Sequence, residues 1–169
     1  HPFADAYGVD RAVLAELAAL EQAQIEVANA PDAATTLAPE ALAAIAPEQW
    51  DVARFAFVSA LRIVAVTHDV LPVVAAVQSG EDPERPAAWG GAYLVHRAHG
   101  ALATERLDPG EAAVLAALAA GRRFAEACDA AESDGEAERA TRGVRALLFA
   151  AARGLVVRVE PARRVRGRI

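Results

Sequence analysis

The sequence predicts an α+β fold, with a mainly helical N-terminal lobe followed by a C-terminal winged-helix domain. Three observations lead there. From Gly91 onward, two strand-like runs joined by Arg97-Ala98-His99-Gly100 are followed by three helical stretches and a closing β-branched run. Asp108-Pro109-Gly110-Glu111 reads as a helix start: an Asp that can cap, a proline that pre-sets φ, and a Glu where a capping box needs one. The stretch Gly80–Gly91, with Pro83, Pro86 and the Gly90-Gly91 pair, is the clearest interruption in the chain. The expected organisation is therefore a helical or α+β lobe over 1–80, a linker over 81–91, a winged-helix domain over 92–161 and an Arg-rich tail over 162–169.

Taken in order, Asp10 can cap a helix running to about Asn29, with Val13, Leu14, Leu17, Leu20 and Ile25 along one side. Pro31-Asp32 ends it. Pro39 and Pro47 open two short helices, expected over 40–45 and 48–53. The β-branched and aromatic runs Arg54–Val58 and Leu61–Val66 favour strands, with one continuous helix over 50–66 as the alternative. Asp69 starts a further helix ending near Gly80. Beyond the linker, Ala92–Arg97 and Ala101–Leu107 form a hairpin. The helix from Pro109 buries Ala112, Leu115 and Leu118 and stops at Gly121. A second helix turns Phe124, Ala127, Cys128 and Ala131 to one face. The third, over 136–153, carries a stripe of Ala140, Val144, Leu147, Leu148 and Ala151, and Leu155–Val159 closes as a strand.

Composition bounds the function. The 169 residues are 54% apolar with mean hydropathy +0.19, which excludes global disorder. Much of that fraction is alanine, so the helices should pack closely. No apolar run approaches the ~18 residues of a membrane span, and residues 1–20 lack the basic start and apolar block of a secretory signal. The single Cys128 excludes an internal disulfide and fits a reducing cytoplasm. Position 1 is His rather than Met, which is read as a start that has been trimmed or that carries added residues. Residues 1–152 hold 11 Arg against 22 acidic groups, whereas 153–169 hold 6 Arg against Glu160 alone. The basic tail can touch phosphates or an acidic surface; a solvated terminus is the plainer reading.

Catalytic signals are sparse. His96 and His99 flank a turn, where water-facing imidazoles are expected and a third ligand is missing. His68-Asp69 can orient an imidazole but equally serves as a helix start. Cys128 falls on an apolar helix face, where a thiol is inert. The chain has no glycine-rich phosphate loop, Gly-x-Ser-x-Gly, HExxH or CxxC.

Binding signals are better. On the third helix Arg142, Arg145, Phe149 and Ala152 lie off the core stripe, on the flank expected to face the sheet edge. The strand Ala101–Leu107 alternates Leu102, Thr104 and Arg106 against Ala103 and Glu105. If its outer edge is free, that strand can accept an extended peptide. The candidate peptide-binding residues are thus Leu102, Thr104, Arg106, Arg142, Arg145, Phe149 and Ala152, with no catalytic and no metal-binding residue. The expected partner is a peptide rather than a membrane. A winged-helix DNA-binding regulator is the alternative; the acidic body and the Glu136-Ala137-Glu138 start of the third helix disfavour nucleic acid.

Several segments carry a family resemblance. Tyr93-Leu94-Val95, Leu107-Asp108, Ala112-x-x-Leu115-x-x-Leu118, Gly121, Val144-x-x-Leu147-Leu148 and Gly154-Leu155 resemble the small leader-binding domains of ribosomal peptide maturation, including the pyrroloquinoline-quinone chaperone type. Leu17-Ala18-Ala19-Leu20-Glu21, Leu42-Ala43-Ala44-Ile45 and Leu61-Arg62-Ile63-Val64 resemble partner proteins of multinuclear non-haem iron oxidative enzymes, to which the methanobactin partner subunit is similar in role. The resemblance runs from about Val13 to Pro161. It departs at Gln22, where the family often has an aromatic, and in lacking the N-terminal helical region of longer members. It implies that 92–161 takes the precursor's leader as an added strand, and that 1–80 docks on the iron oxidase in a heterodimer. It also implies that the iron belongs to that enzyme, with no cofactor in this chain.

Overall fold

A computed structural model of the protein describes residues 10–33, 35–98, 100–131 and 135–160. The fold is mixed α and β, built from small antiparallel sheets and helices. Helix α1 (Arg11–Asn29) starts at Asp10, whose carboxylate accepts the Ala12 N–H at 2.9 Å. Its buried line is Val13, Leu20, Ala23 and Val27, while Leu14 and Ile25, expected in the stripe, face solvent. The helix seats on a sheet along a narrow line of roughly seven-residue spacing, and the wider apolar stripe overestimates what that line covers.

The short elements α2 (Pro39–Leu42) and a 3₁₀ turn (Pro47–Gln49) are briefer than the helices expected over 40–45 and 48–53. Pro47 holds the residue before it extended, with Ala46 at ψ 141°, so neither piece can grow into the other. Strands β1 (Arg54–Phe57) and β2 (Leu61–His68) follow, which settles 54–66 as strand rather than continuous helix. Helix α3 (Leu71–Ser79) ends on Gly80, whose φ of 73° is the left-handed conformation glycine adopts without strain.

β3 (Ala88–Ala98) and β4 (Ala101–Leu107) complete a three-stranded antiparallel sheet in the order β2-β3-β4. The β2–β3 ladder runs from Leu61↔His96 to His68↔Ala88, so it joins the two lobes expected on either side of 81–91. β3 begins at Ala88, inside that expected linker. Gly90-Gly91 is strand, not hinge: a Cβ on Gly91 would collide with the Trp89 ring, which packs 5.3 Å from the Tyr93 ring. The glycine makes room for an indole.

Then come α4 (Pro109–Ala119), α5 (Phe124–Cys128), α6 (Glu136–Ala152) and β5 (Val156–Glu160), which pairs antiparallel with β1. Asp108 caps α4 as expected, accepting the Glu111 N–H at 2.8 Å. On α6 the buried residues are Gly143, Ala146, Leu147, Ala150 and Ala151; Val144 and Leu148, expected in the core stripe, are exposed. Close approach is the reason. Gly143 sits against the Cys128 thiol and the Phe124 ring, where a Cβ would collide with the sulfur. Leu147 apart, small residues therefore face inward on α6, while Val144 and Leu148 turn out.

The β2-β3-β4 sheet separates two cores. Tyr93 and Val95 join Val13, Leu20, Ala23 and Val27 of α1 on one face, and Leu94 and Leu107 join the α4–α6 bundle on the other. Among the described residues no helix is long and apolar enough to cross a membrane.

Candidate functional site

β4 pairs only with β3, so among the described residues its outer edge carries no strand. Ala98↔Ala101 closes the two-residue loop between β3 and β4. Such a closing pair is hydrogen-bonded, and antiparallel ladders alternate from it. Ala103, Glu105 and Leu107 therefore spend their backbone groups on β3, while Leu102, Thr104 and Arg106 direct theirs outward. These three are the backbone donors and acceptors a guest strand would meet.

Their side chains point to the α1 face, because they stand opposite Arg97, Val95 and Tyr93. Leu102 is exposed. The Thr104 hydroxyl accepts from Gln24 Nε2 at 3.2 Å. Arg106 reaches Asp69 through Nε at 3.1 Å and through Nη2 at 3.0 and 2.8 Å. Asp69 stands one residue before Val70, the N-cap of α3. It accepts the Tyr93 hydroxyl at 2.7 Å, and that hydroxyl receives the Val70 and Leu71 N–H groups at 2.8 and 3.3 Å. Burial first, then the Asp69 carboxylate, push the Tyr93 phenol up to about 12.

The α6 candidates occupy the other face. Arg145 binds Glu111 at 2.7 Å and Asp108 at 3.5 Å, just past the end of β4. Phe149 is half-buried, with the Arg153 guanidinium 3.4 Å from its ring centroid. Arg142 lies instead over Gly110 at the start of α4, with Nη2 3.4 Å from Glu138, and Ala152 is exposed. The structure thus brings Arg145 and Phe149 beside β4, leaves Arg142 and Ala152 off to the sides, and puts Leu102, Thr104 and Arg106 across the sheet plane from all four.

Sequence reasoning missed the residues that tie β4 to α6. Arg153 Nε and Nη2 hold the two Glu105 oxygens at 2.6 and 2.5 Å, and His96 Nε2 lies 2.8 Å from Glu105 Oε1. His96 is buried rather than facing water, because its position on β3 turns it toward the bundle. Its Nδ1 is buried without a partner. The Arg153 fork, only partly opposed by desolvation and aided by His96, holds the Glu105 carboxyl down at about 2. A lone acidic residue in the β4 alternation was the available signal for this cluster.

The remaining candidates lie away from β4. Cys128 is buried, and desolvation with nearby Asp129 and Asp51 pushes its thiol up to about 11. His68 Nδ1 lies 3.2 Å from Glu16. Among the described residues no group of three or more His, Cys, Asp and Glu could hold a metal. His99 and the Arg-rich tail over 162–169 lie outside the described residues.

No family model matches the chain, and no match emerges among curated proteins or solved structures.

Proposed function

We propose that this chain is a non-catalytic partner subunit that binds the leader of a ribosomally made precursor peptide as an added strand on β4. In this reading β2–β4 with α4–α6 are a winged-helix, leader-binding module. The leader lies between β4 and α6, and the cysteine-bearing core is passed to a multinuclear non-haem iron oxidase docked on the N-terminal elements.

One observation supports the reading: the outer edge of β4 carries no strand among the described residues, and its C-terminal end and the residue after it are tied to α6 by Glu105–Arg153 and Asp108–Arg145. A strand laid on this edge meets the outward backbone groups of Leu102, Thr104 and Arg106, up to about six hydrogen bonds. At roughly 0.5–1.5 kcal/mol each these total about 3–9 kcal/mol before the cost of ordering the peptide, so a micromolar complex, at about 8 kcal/mol, draws on side-chain contacts as well. Arg145 and Phe149 would add selection by charge and shape.

The test uses a displayed library of randomised twelve-residue peptides, with selected peptides measured by calorimetry on the wild-type protein and on Thr104→Pro. The substitution deletes an outward N–H and leaves the β3 ladder whole. Selected binders should weaken about tenfold or more on the variant, with circular dichroism unchanged. Equal binding by both proteins removes the strand-addition reading.

A further inference from the structure

The β2-β3-β4 sheet has two outer edges, and among the described residues the edge of β2 carries no further strand either. The Arg97 N–H donates to the Ala60 carbonyl at 3.1 Å, so Ala60 turns its backbone groups toward β3, and by alternation Arg62, Val64 and Val66 do the same. Those of Ser59, Leu61, Ile63 and Ala65 therefore point away from the sheet. By length and composition β2 is the more inviting edge. It has eight residues against the seven of β4, and its outward set Leu61, Ile63 and Ala65 carries no charge.

Side chains close that edge at both ends. At the start of β2, Arg62 curls back over it: Nη1 donates to the outward carbonyls of Leu61 at 2.7 Å and Ser59 at 3.1 Å, while Nε donates to Glu26 of α1 at 2.6 Å. At the far end Glu16 of α1 accepts the Thr67 N–H at 2.6 Å and the Thr67 hydroxyl at 2.7 Å, with His68 Nδ1 3.2 Å from its second oxygen. The helix and the strand are matched in length. Ten residues of α1 from Glu16 to Glu26 advance about 15 Å, and five residues of β2 from Arg62 to Thr67 advance about 17 Å. One helix thus reaches both ends of the edge at once and leaves only Ile63 and Ala65 between, too short a ladder for a guest. On β4, by contrast, the bonds of Thr104 and Arg106 to Gln24 and Asp69 run from their side chains and leave the outward backbone groups alone.

We propose that Glu16 and the Glu26-held Arg62 are locks that close β2 to strand pairing, and so direct an extended peptide to β4. A guest on β2 would have to displace charge-assisted hydrogen bonds with neutral ones, which are roughly half as strong. The direction to β4 rests on the strand-addition reading; the closure of β2 stands on its own contacts.

The same peptide selection tests it, run on the wild type and on an unlocked protein carrying Glu16→Ala and Arg62→Thr, each with and without Ile63→Pro. That proline removes an outward N–H of β2 and spares its bonds to β3. The unlocked protein should yield binders that weaken about tenfold or more on Ile63→Pro, whereas wild-type binders should be indifferent to it. Ile63-dependent binding by the wild type overturns the locks, as does its absence from an unlocked protein whose circular dichroism is unchanged. Should the unlocked protein fail to fold, amide exchange on the wild type decides. The Thr67 N–H, held by Glu16, should exchange at least about tenfold more slowly than those of Ile63 and Ala65, and equal rates overturn the locks. Failure to select any Thr104-dependent wild-type binder removes the β4 reading alone, because closure of β2 is read from Ile63-dependence.

Discussion

Glu105→Gln is the sharpest probe of the β4–α6 clasp, because it removes a charge while keeping shape. The Glu105 carboxyl titrates near 2, against an ordinary 4.5, chiefly because Arg153 grips both its oxygens at 2.5–2.6 Å. At about 1.4 kcal/mol for each tenfold change in proton affinity, that preference has a ceiling of roughly 3 kcal/mol. The side chain is 33% exposed, so solvent screening reduces the expected contribution to about 1–2 kcal/mol. Its sign with pH is fixed. The folded state binds this proton less readily than the unfolded state, so the stabilisation is full above about 4.5 and drains as pH falls toward about 2. Urea unfolding should therefore find the variant about 1–2 kcal/mol less stable near neutral pH, with the gap closing through that acid window. A gap that stays constant from neutral pH to about pH 2, or is absent throughout, would refute the clasp.

Two further outcomes follow from buried groups away from the β4 edge. Tyr93→Phe leaves the Val70 and Leu71 N–H groups and the Asp69 carboxylate without their shared partner, so it should cost about 1–3 kcal/mol. Amide exchange should quicken in the first turn of α3 while the α4–α6 bundle keeps its protection; uniform loss of protection would contradict a capping role. Cys128, buried with its thiol held up near 11, should react with a thiol reagent at neutral pH only as fast as the protein opens. Rapid labelling of the native protein would show the α5–α6 contact to be loose.

What the sequence revealed depended on how far apart the deciding residues lie. The caps at Asp10 and Asp108 act on amides two and three residues away, and both form as expected. Gly80 and Gly121 end their helices at positive φ for equally local reasons. The β-branched content of 54–66 was enough to place β1 and β2. The faces of α1 and α6 were less legible. Apolar periodicity favours large side chains, whereas contact with a sheet or a close neighbour selects small ones such as Ala23, Gly143 and Ala146. The Gly80–Gly91 stretch looked like a boundary because its prolines and glycines are read locally, while β3 is held by β2 through pairs such as Leu61↔His96. The pairings Glu105–Arg153 and Asp69–Arg106 span 48 and 37 residues, so the sequence marks at most one partner, the lone acid of β4, and not the pair.

Those long-range pairs also bear on why β4 can stay open without becoming a liability. A bare edge invites another sheet, and proteins usually deter that with charges on the strand itself. Here Glu105 is drawn to the α6 side by Arg153, and Arg106 to the α1 side by Asp69, so neither charge stands across the edge. Protection falls instead to the flanking layers: α6 is anchored beside β4 through Arg145 and Arg153, and α1 reaches Thr104 through Gln24. A partner sheet brings helices or side chains of its own on both faces and would run into these layers. A lone strand brings side chains but no layer of its own behind them. In the proposed reading, the arrangement that would keep the edge from pairing with its own kind is the same one that would leave it open to a single extended peptide.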